Sequence, residues 1–206
     1  MKTNNHDLEY YLDKLVDFIQ GDRFEADLRR AKKEYFGTPV PRFKDEAEYD
    51  LNVSNFLDWY IFDRPVRSLG KTPLVLYVEE LDEGRRDEEG PVYEEFLDGH
   101  YSLFRLRKKT GTGCYLEDLL SSRIFFVGDL KLLPRFTRNN NLAVRILRFR
   151  GDYKLASALD LVPVKVGQFL VDYLTMLQEE GKAEVLTTRF IRSVRMELTS
   201  SGRELV

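Results

Sequence analysis

Apolar residues in the first hundred positions recur at helical spacing. Leu8, Tyr11, Leu12, Leu15, Phe18 and Ile19 fall on one face of a first helix, which Gly21 stops. Phe24, Leu28, Ala31 and Tyr35 make a second stripe, supported by Glu25 with Arg29 and Arg30 with Glu34 at i, i+4. Gly37 and Pro39 end it. A third stripe starts near Asp45 and runs through Tyr49, Val53, Phe56, Leu57 and Tyr60 until Pro65 closes it. Asn55, Trp59 and Phe62 occupy another face, so the run from Phe56 to Pro65 predicts an element enclosed on more than one side. Asp58 and Asp63 in that run read as caps or as partners of Arg64 and Arg67, because buried carboxylates need partners. Thr72 can cap a fourth helix with Pro73 at its first position and Leu74, Tyr77, Val78 and Leu81 along one face, a strand being the competing assignment. The charged stretch Asp82 to Gly90 reads as a solvated loop or a helix-to-helix connection, and a short helix from Pro91 to Leu97 follows.

After His100 the period changes to two. Ser102 to Arg107 alternates as a half-buried strand, Thr110-Gly111-Thr112-Gly113 is a turn, and Cys114 to Asp118 returns. Ile124 to Val127, Leu142 to Arg150 and Tyr153 to Leu159 complete five short strands, with turns at Gly128-Asp129 and Gly151-Asp152. Beyond Pro163, the residues Val166, Phe169, Leu170, Tyr173, Leu174 and Leu177 restore a helix that Gly181 ends and Gly167 weakens. Leu186, Phe190, Val194 and Leu198 favour a last helix over a strand. The expected fold is α+β: an acidic helical region over 1–100, a small five-stranded antiparallel β-barrel over 101–162, and a helical tail over 163–206.

The chain has 206 residues and a formal charge of -3, enough length for a sizeable core and an ordinary globular composition. The small net charge conceals a strong asymmetry. Residues 1–100 hold 14 basic and 24 acidic side chains, 101–150 hold 11 and 3, and the remainder 7 and 8. A cationic middle fits either a polyanion partner or the docking of an acidic domain on a basic one. No apolar stretch is long enough to span a bilayer and the first thirty residues do not resemble a signal peptide, so the expectation is a cytoplasmic protein with no membrane partner. The single cysteine excludes an internal disulfide and a thiolate-rich zinc site.

Candidate chemistry is sparse. Cys114 stands in the basic segment but reads as strand packing. Gly111-Thr112-Gly113 reads as a hairpin turn rather than a phosphate cradle, for it lacks the longer fingerprint and a following helix. Glu79, Glu80, Asp82, Glu83, Asp87, Glu88 and Glu89 lack the spacing of a calcium loop and read as a solvated acidic face. His6 and His100 are far apart and lack ligand-like spacing. His100 at the helix-to-barrel junction reads as structural, so no catalytic residue, metal or cofactor is assigned. The cationic segment carries the candidate binding residues Arg105, Arg107, Lys108, Lys109, Arg135, Arg138, Arg145, Arg148 and Arg150, together with Arg123 and Lys131. They interleave with Phe104, Tyr115, Phe125, Phe126, Phe136, Phe149 and Tyr153, which strand alternation mostly sends inward. Lys131 to Asn141 reads as an exposed loop.

Four segments carry a family resemblance: the Phe56-Leu57-Asp58-Trp59-Tyr60-Ile61-Phe62-Asp63 block, Gly70-Lys71-Thr72-Pro73-Leu74, Ser102-Leu103-Phe104 and Leu116-Glu117-Asp118-Leu119-Leu120. Through them, residues from about 8 to 165 resemble a family of uncharacterised bacterial proteins, many of which bear a carboxy-terminal SEC-C metal-binding motif. The resemblance implies a helical front, a barrel-like β segment and a bacterial, cytoplasmic protein. The tail beyond Pro163 has neither the cysteines nor the histidine of that motif. The resemblance brings no known reaction, so no site residue follows from it. The leading expectation is a non-catalytic interaction protein with a protein partner. Nucleic-acid binding through the basic barrel is the alternative and an enzyme the third class, and the helical tail could also serve self-association into a homo-oligomer.

Overall fold

The computed structural model describes residues 7–38, 41–128, 140–180, 187 and 189–192, apart from the side chains of residues 140, 157, 158 and 178. The chain divides into two compact units, Met1–Asp98 and Gly99–Val206.

The first unit is helical. Helix α1 (Leu8–Ile19) begins where the Asp7 carboxylate accepts the Tyr10 N–H, and it buries Tyr11, Leu15 and Ile19. Helix α2 (Asp22–Phe36) ends on Gly37, whose φ of 73° is the left-handed value a glycine adopts without strain. Helix α3 (Glu46–Asp58) is capped by Asp45, which accepts the Glu48 N–H at 2.8 Å, while the Glu48 carboxylate accepts the Lys44 N–H. At Trp59 the helix widens into a π turn (Trp59–Asp63), closed by the Arg64 N–H donating to the Trp59 carbonyl at 2.9 Å. Helix α4 (Pro73–Glu79) has the expected Thr72 cap and first-position proline, which settles that segment as helix.

Between α4 and α6 (Gly90–Leu97) the charged stretch is a short helix, α5 (Glu83–Glu88), which buries none of its residues. The Asp82 carboxylate explains it, accepting both the Arg85 N–H at 2.9 Å and the Arg85 Nε at 2.7 Å. The aromatic run is the core that its two-faced pattern implied. Phe56, Trp59, Tyr60 and Ile61 are all buried, and Tyr35 meets Phe36, Phe56 and Trp59 at ring separations of 4.9, 5.6 and 5.3 Å. Such tilted and edge contacts each add roughly 0.5–1.5 kcal/mol to the burial itself.

The second unit is a closed barrel in the order β1-β2-β3-β5-β4. Its strands are β1 (His100–Lys109), β2 (Cys114–Asp118), β3 (Ile124–Val127), β4 (Asn140–Phe149) and β5 (Asp152–Pro163). Four of the pairings are antiparallel, but β3 and β5 run parallel, with Val127 opposite Tyr153. A ring with an odd number of strands cannot alternate direction all the way round, so closing it corrects the all-antiparallel expectation at one seam. The β4–β5 turn has φ of 53° at Arg150 and 84° at Gly151, the mirror-image geometry that suits strand twist. Phe104, Cys114, Leu116, Phe125, Val127, Leu142, Val144, Ile146 and Leu155 fill the interior.

Helix α7 (Val164–Glu179) packs with this unit and covers part of its outer wall. Val166, Leu170 and Leu174 lie with Ile191 against Tyr101, Leu103, Ala143 and Val162. Gly167 is required by close approach: a Cβ there would stand 2.1 Å from the Asn141 Nδ2 and 3.1 Å from the Leu103 Cδ2. The end predicted at Gly181, the turn at Asp129 and most of the last predicted helix lie outside the described residues.

Candidate functional site

Where α7 does not lie, the barrel presents an open face built from β1, β2 and β3. The register places Lys108, Tyr115 and Phe126 in one row across the three strands and Arg105, Glu117 and Ile124 in the next. Tyr115 and Phe126 are 39% and 40% exposed, their ring centroids are 5.2 Å apart, and Ile124 is 61% exposed. Glu117 holds the charges of the second row: its Oε1 accepts from the Arg107 Nη2 at 2.6 Å and its Oε2 lies 3.9 Å from the Arg105 Nη1. Two guanidinium groups share that carboxylate, so the cluster stays cationic. Arg123, just before β3, is exposed and stands 5.1 Å over the Phe125 ring.

Register also gathers cations at one barrel end. Lys109 is opposite Cys114, Cys114 opposite Val127, Val127 opposite Tyr153, and Tyr153 opposite Arg148. Lys109 and Arg148 therefore stand at the level of the β1–β2 and β4–β5 turns. Arg150 is in the latter turn, its guanidinium 4.9 Å over Phe149, and both Arg148 and Arg150 are exposed. Arg145 departs from the expectation of a surface cation. It is 3% exposed, opposite Tyr101 with its guanidinium 6.0 Å from that ring, because β4 is buried on both faces from Asn141 to Leu147. Arg135, Arg138 and Lys131 lie outside the described residues.

The opposite end is polar in a different way. The buried Asp118 carboxylate accepts from the Ser102 Oγ at 2.6 Å, the Ser121 Oγ at 2.6 Å and the Leu120 N–H at 2.9 Å, with the His100 Nε2 at 3.5 Å. Burial by itself would raise its pKa, but the bonds from His100, Ser102, Ser121 and Leu120 outweigh burial and hold the group well below the usual carboxylate range. Both hydroxyls and the imidazole converge on one carboxylate, and among the described residues neither serine is hydrogen-bonded to His100 as an activated serine nucleophile would be. Asp118 ties β1 to the turn after β2.

In the helical unit, a cavity of about 360 Å³ is lined by Arg30 and Glu34 of α2 and by Arg64, Pro65 and Arg67 after the π turn. Behind it the buried Asp27 accepts from the Arg64 Nη1 at 2.5 Å, the Tyr60 hydroxyl at 3.1 Å and the Arg67 N–H at 3.3 Å. Glu34 accepts from the Arg64 Nε at 3.0 Å. Burial works against the charge on Arg64, yet its bonds to Asp27 and Glu34 raise its pKa further. Burial first and then the Asp27 charge push the Tyr60 hydroxyl up, which keeps it a donor. To Asp58 and Asp63, which the sequence marks as caps or as partners of Arg64 and Arg67, the structure adds Asp27 and Glu34 of α2, which accept from Arg64 and, at Asp27, from the Arg67 N–H. A lone acid one turn from Phe24 on an apolar helix face was the available signal.

Other motifs resolve into structure. Cys114 is wholly buried in the barrel. The Thr110 Oγ1 accepts the Gly113 N–H at 3.1 Å, and a Cβ on Gly113 would meet the Val127 carbonyl at 2.2 Å, so that segment is a tight hairpin turn. In the acidic stretch, Glu79 pairs with Lys71, Glu80 with Arg23 and Glu89 with Lys14. Among the described residues, no group of three or more His, Cys, Asp or Glu side chains gathers as metal ligands, and no helix is long and apolar enough to cross a membrane. The chain matches no family model, no curated protein and no solved structure, so the resemblance drawn from its four segments rests on those residues alone.

Proposed function

We propose that the protein is a cytoplasmic, non-catalytic interaction protein whose barrel binds single-stranded nucleic acid across the β1–β2–β3 face. The observation that carries this reading is the exposed Tyr115–Phe126 pair, set among Arg105, Arg107 and Lys108. Burying those rings in the interior would have been the ordinary outcome for a small barrel. Exposed side by side, they offer a surface on which successive bases stack, worth about 1–3 kcal/mol per base, while neighbouring cations neutralise phosphates.

Strand order supports the same reading. A five-stranded closed barrel with a β1-β2-β3-β5-β4 ring resembles the OB arrangement, whose strand 2–3 face and β1–β2 and β4–β5 loops take up oligonucleotides. Architecture alone does not set function, and the exposed aromatic pair supplies the chemistry. A labelled single-stranded RNA or DNA oligonucleotide titrated at rising salt tests the proposal. With three or four phosphate contacts, log affinity falls against log salt with a slope of about -2 to -3. Absence of binding at low salt, or a flat salt profile, rules the reading out.

A second reading takes Ile124, the most exposed apolar side chain of this face, as the start of a protein interface. Capture from a lysate with and without nuclease separates the two, because a partner held through nucleic acid leaves when the strand is cut.

A further inference from the structure

We infer that the cavity between α2 and the segment after the π turn is a second binding site, in the helical unit, for the phosphate group of a small molecule. Three arginines, Arg30, Arg64 and Arg67, line one cavity with a single acidic residue, Glu34. Asp27 lies behind Arg64 and both its oxygens are occupied, Oδ2 by the buried Arg64 and Tyr60 and Oδ1 by the Arg67 N–H. Cations therefore outnumber anions around the space that a ligand would enter, and an entering anion relieves their repulsion. The exposed Arg67 guanidinium has no carboxylate partner among the described residues, and Arg30 reaches only to 4.0 Å from the Asp27 Oδ1.

Arg64 is the fixed member. Its side chain is 9% exposed, its Nη1 and Nε are held by Asp27 and Glu34, and its Nη2 has no hydrogen-bond partner among the described residues. A guanidinium held this way loses little freedom when it binds, and its planar fork suits phosphate oxygens. The backbone gives an independent pointer. Arg64 leaves a helix through a π turn, Trp59–Asp63, a rare departure from regular helix that is frequent at functional sites. Pro65 then fixes the chain direction toward Arg67. A cavity of about 360 Å³ has room for more than a bare anion and falls in the range of about 300–1,000 Å³ typical of small-molecule sites. Phosphate is favoured over carboxylate because three forks can share its oxygens and its greater charge.

The chain supplies its own reporter, since its one tryptophan, Trp59, lies with its ring 5.7 Å from the Arg64 guanidinium. Trp59 fluorescence and calorimetry are followed in the full chain as inorganic phosphate, pyrophosphate or succinate is added, against sodium chloride at matched ionic strength. The site predicts saturable binding of phosphate or pyrophosphate, tighter than succinate and weakened at least tenfold in an Arg30→Gln, Arg67→Gln double variant. Both substitutions are at exposed side chains and leave the Arg67 N–H bond to Asp27 in place, and an unchanged melting temperature checks that the fold is intact. Any of four results overturns the inference: no heat or fluorescence change beyond the chloride control, succinate binding as tightly as pyrophosphate, unchanged affinity in the double variant, or loss of affinity in Tyr115→Ala instead. The last would place phosphate binding on the barrel face.

Discussion

The helical unit buries the rings around Trp59 and ties its central charges to one another, whereas the barrel leaves two rings and several cations together on one open face. Trp59 is 5% exposed among Tyr35 and Phe56, and Arg64 beside it is held by two carboxylates. Phe126 is 40% exposed beside Tyr115, while Phe125, the next residue along the chain, is 3% exposed inside the barrel. Aromatic content alone therefore does not separate core from surface. The phase of the strand does, and it assigns opposite roles to neighbouring phenylalanines.

Substitution can break that contrast directly. Trp59→Ala removes a buried ring and is expected to destabilise the chain by about 3–5 kcal/mol in denaturant unfolding. Phe126→Ala gives up one half-exposed cross-strand ring pair and should cost about 1 kcal/mol or less. Its effect belongs to binding, where loss of one stacking partner costs about 1–3 kcal/mol, or roughly 5- to 150-fold in the affinity for a single-stranded oligonucleotide. If Phe126→Ala destabilises as much as Trp59→Ala, the two rings are not in different situations.

Gly167 sharpens the contrast from the covered side of the barrel. Gly167→Ala places a methyl group against the Asn141 amide and should cost about 1–3 kcal/mol, even though alanine favours helix. A stabilised variant would mean that α7 does not approach β4 so closely. Asp118 supplies a pH-dependent test at the other barrel end. Its pKa is lower in the folded chain than the ordinary 3.8, so its contribution to stability is complete above that value and is lost as the pH falls below about 4 toward the folded pKa. Unfolding curves should show this acid-side loss in the wild type and a smaller one in Asp118→Asn. An identical acid limb in both proteins would contradict the role given to the carboxylate. The smallest expected effect is that of Lys108→Gln, which removes one exposed cation beside Tyr115 and should reduce the salt slope of oligonucleotide binding by about 0.7 if that lysine meets a phosphate.

Much of the architecture was legible in the pattern of apolar residues. The helix stops at Gly21 and Gly37, the Thr72 cap and the five strands stand in the structure close to where spacing placed them. The α5 turn was harder to read because a helix made almost entirely of charged residues has no apolar stripe, and only the Asp82 cap announces it. The parallel seam is a property of closing the ring and belongs to no single strand. The outward phase of Tyr115 could have been read from Glu117 two residues on, since Cys114 and Leu116 alternate with them. Arg145 could not, because its burial depends on tertiary packing of a strand whose local pattern resembles that of Arg148. The Arg64 pocket joins residues about thirty positions apart, and helix periodicity carries no information about which side chains such a pairing will bring together.

The most direct measurement compares wild type with a Tyr115→Ala, Phe126→Ala double variant by anisotropy of a labelled single-stranded oligonucleotide at low salt, with melting temperatures taken on the same samples. The account predicts that the wild type binds and that the double variant loses more than tenfold in affinity while its melting temperature falls by no more than a few degrees. Equal binding by the two proteins, or a loss that appears only together with unfolding of the double variant, would contradict it.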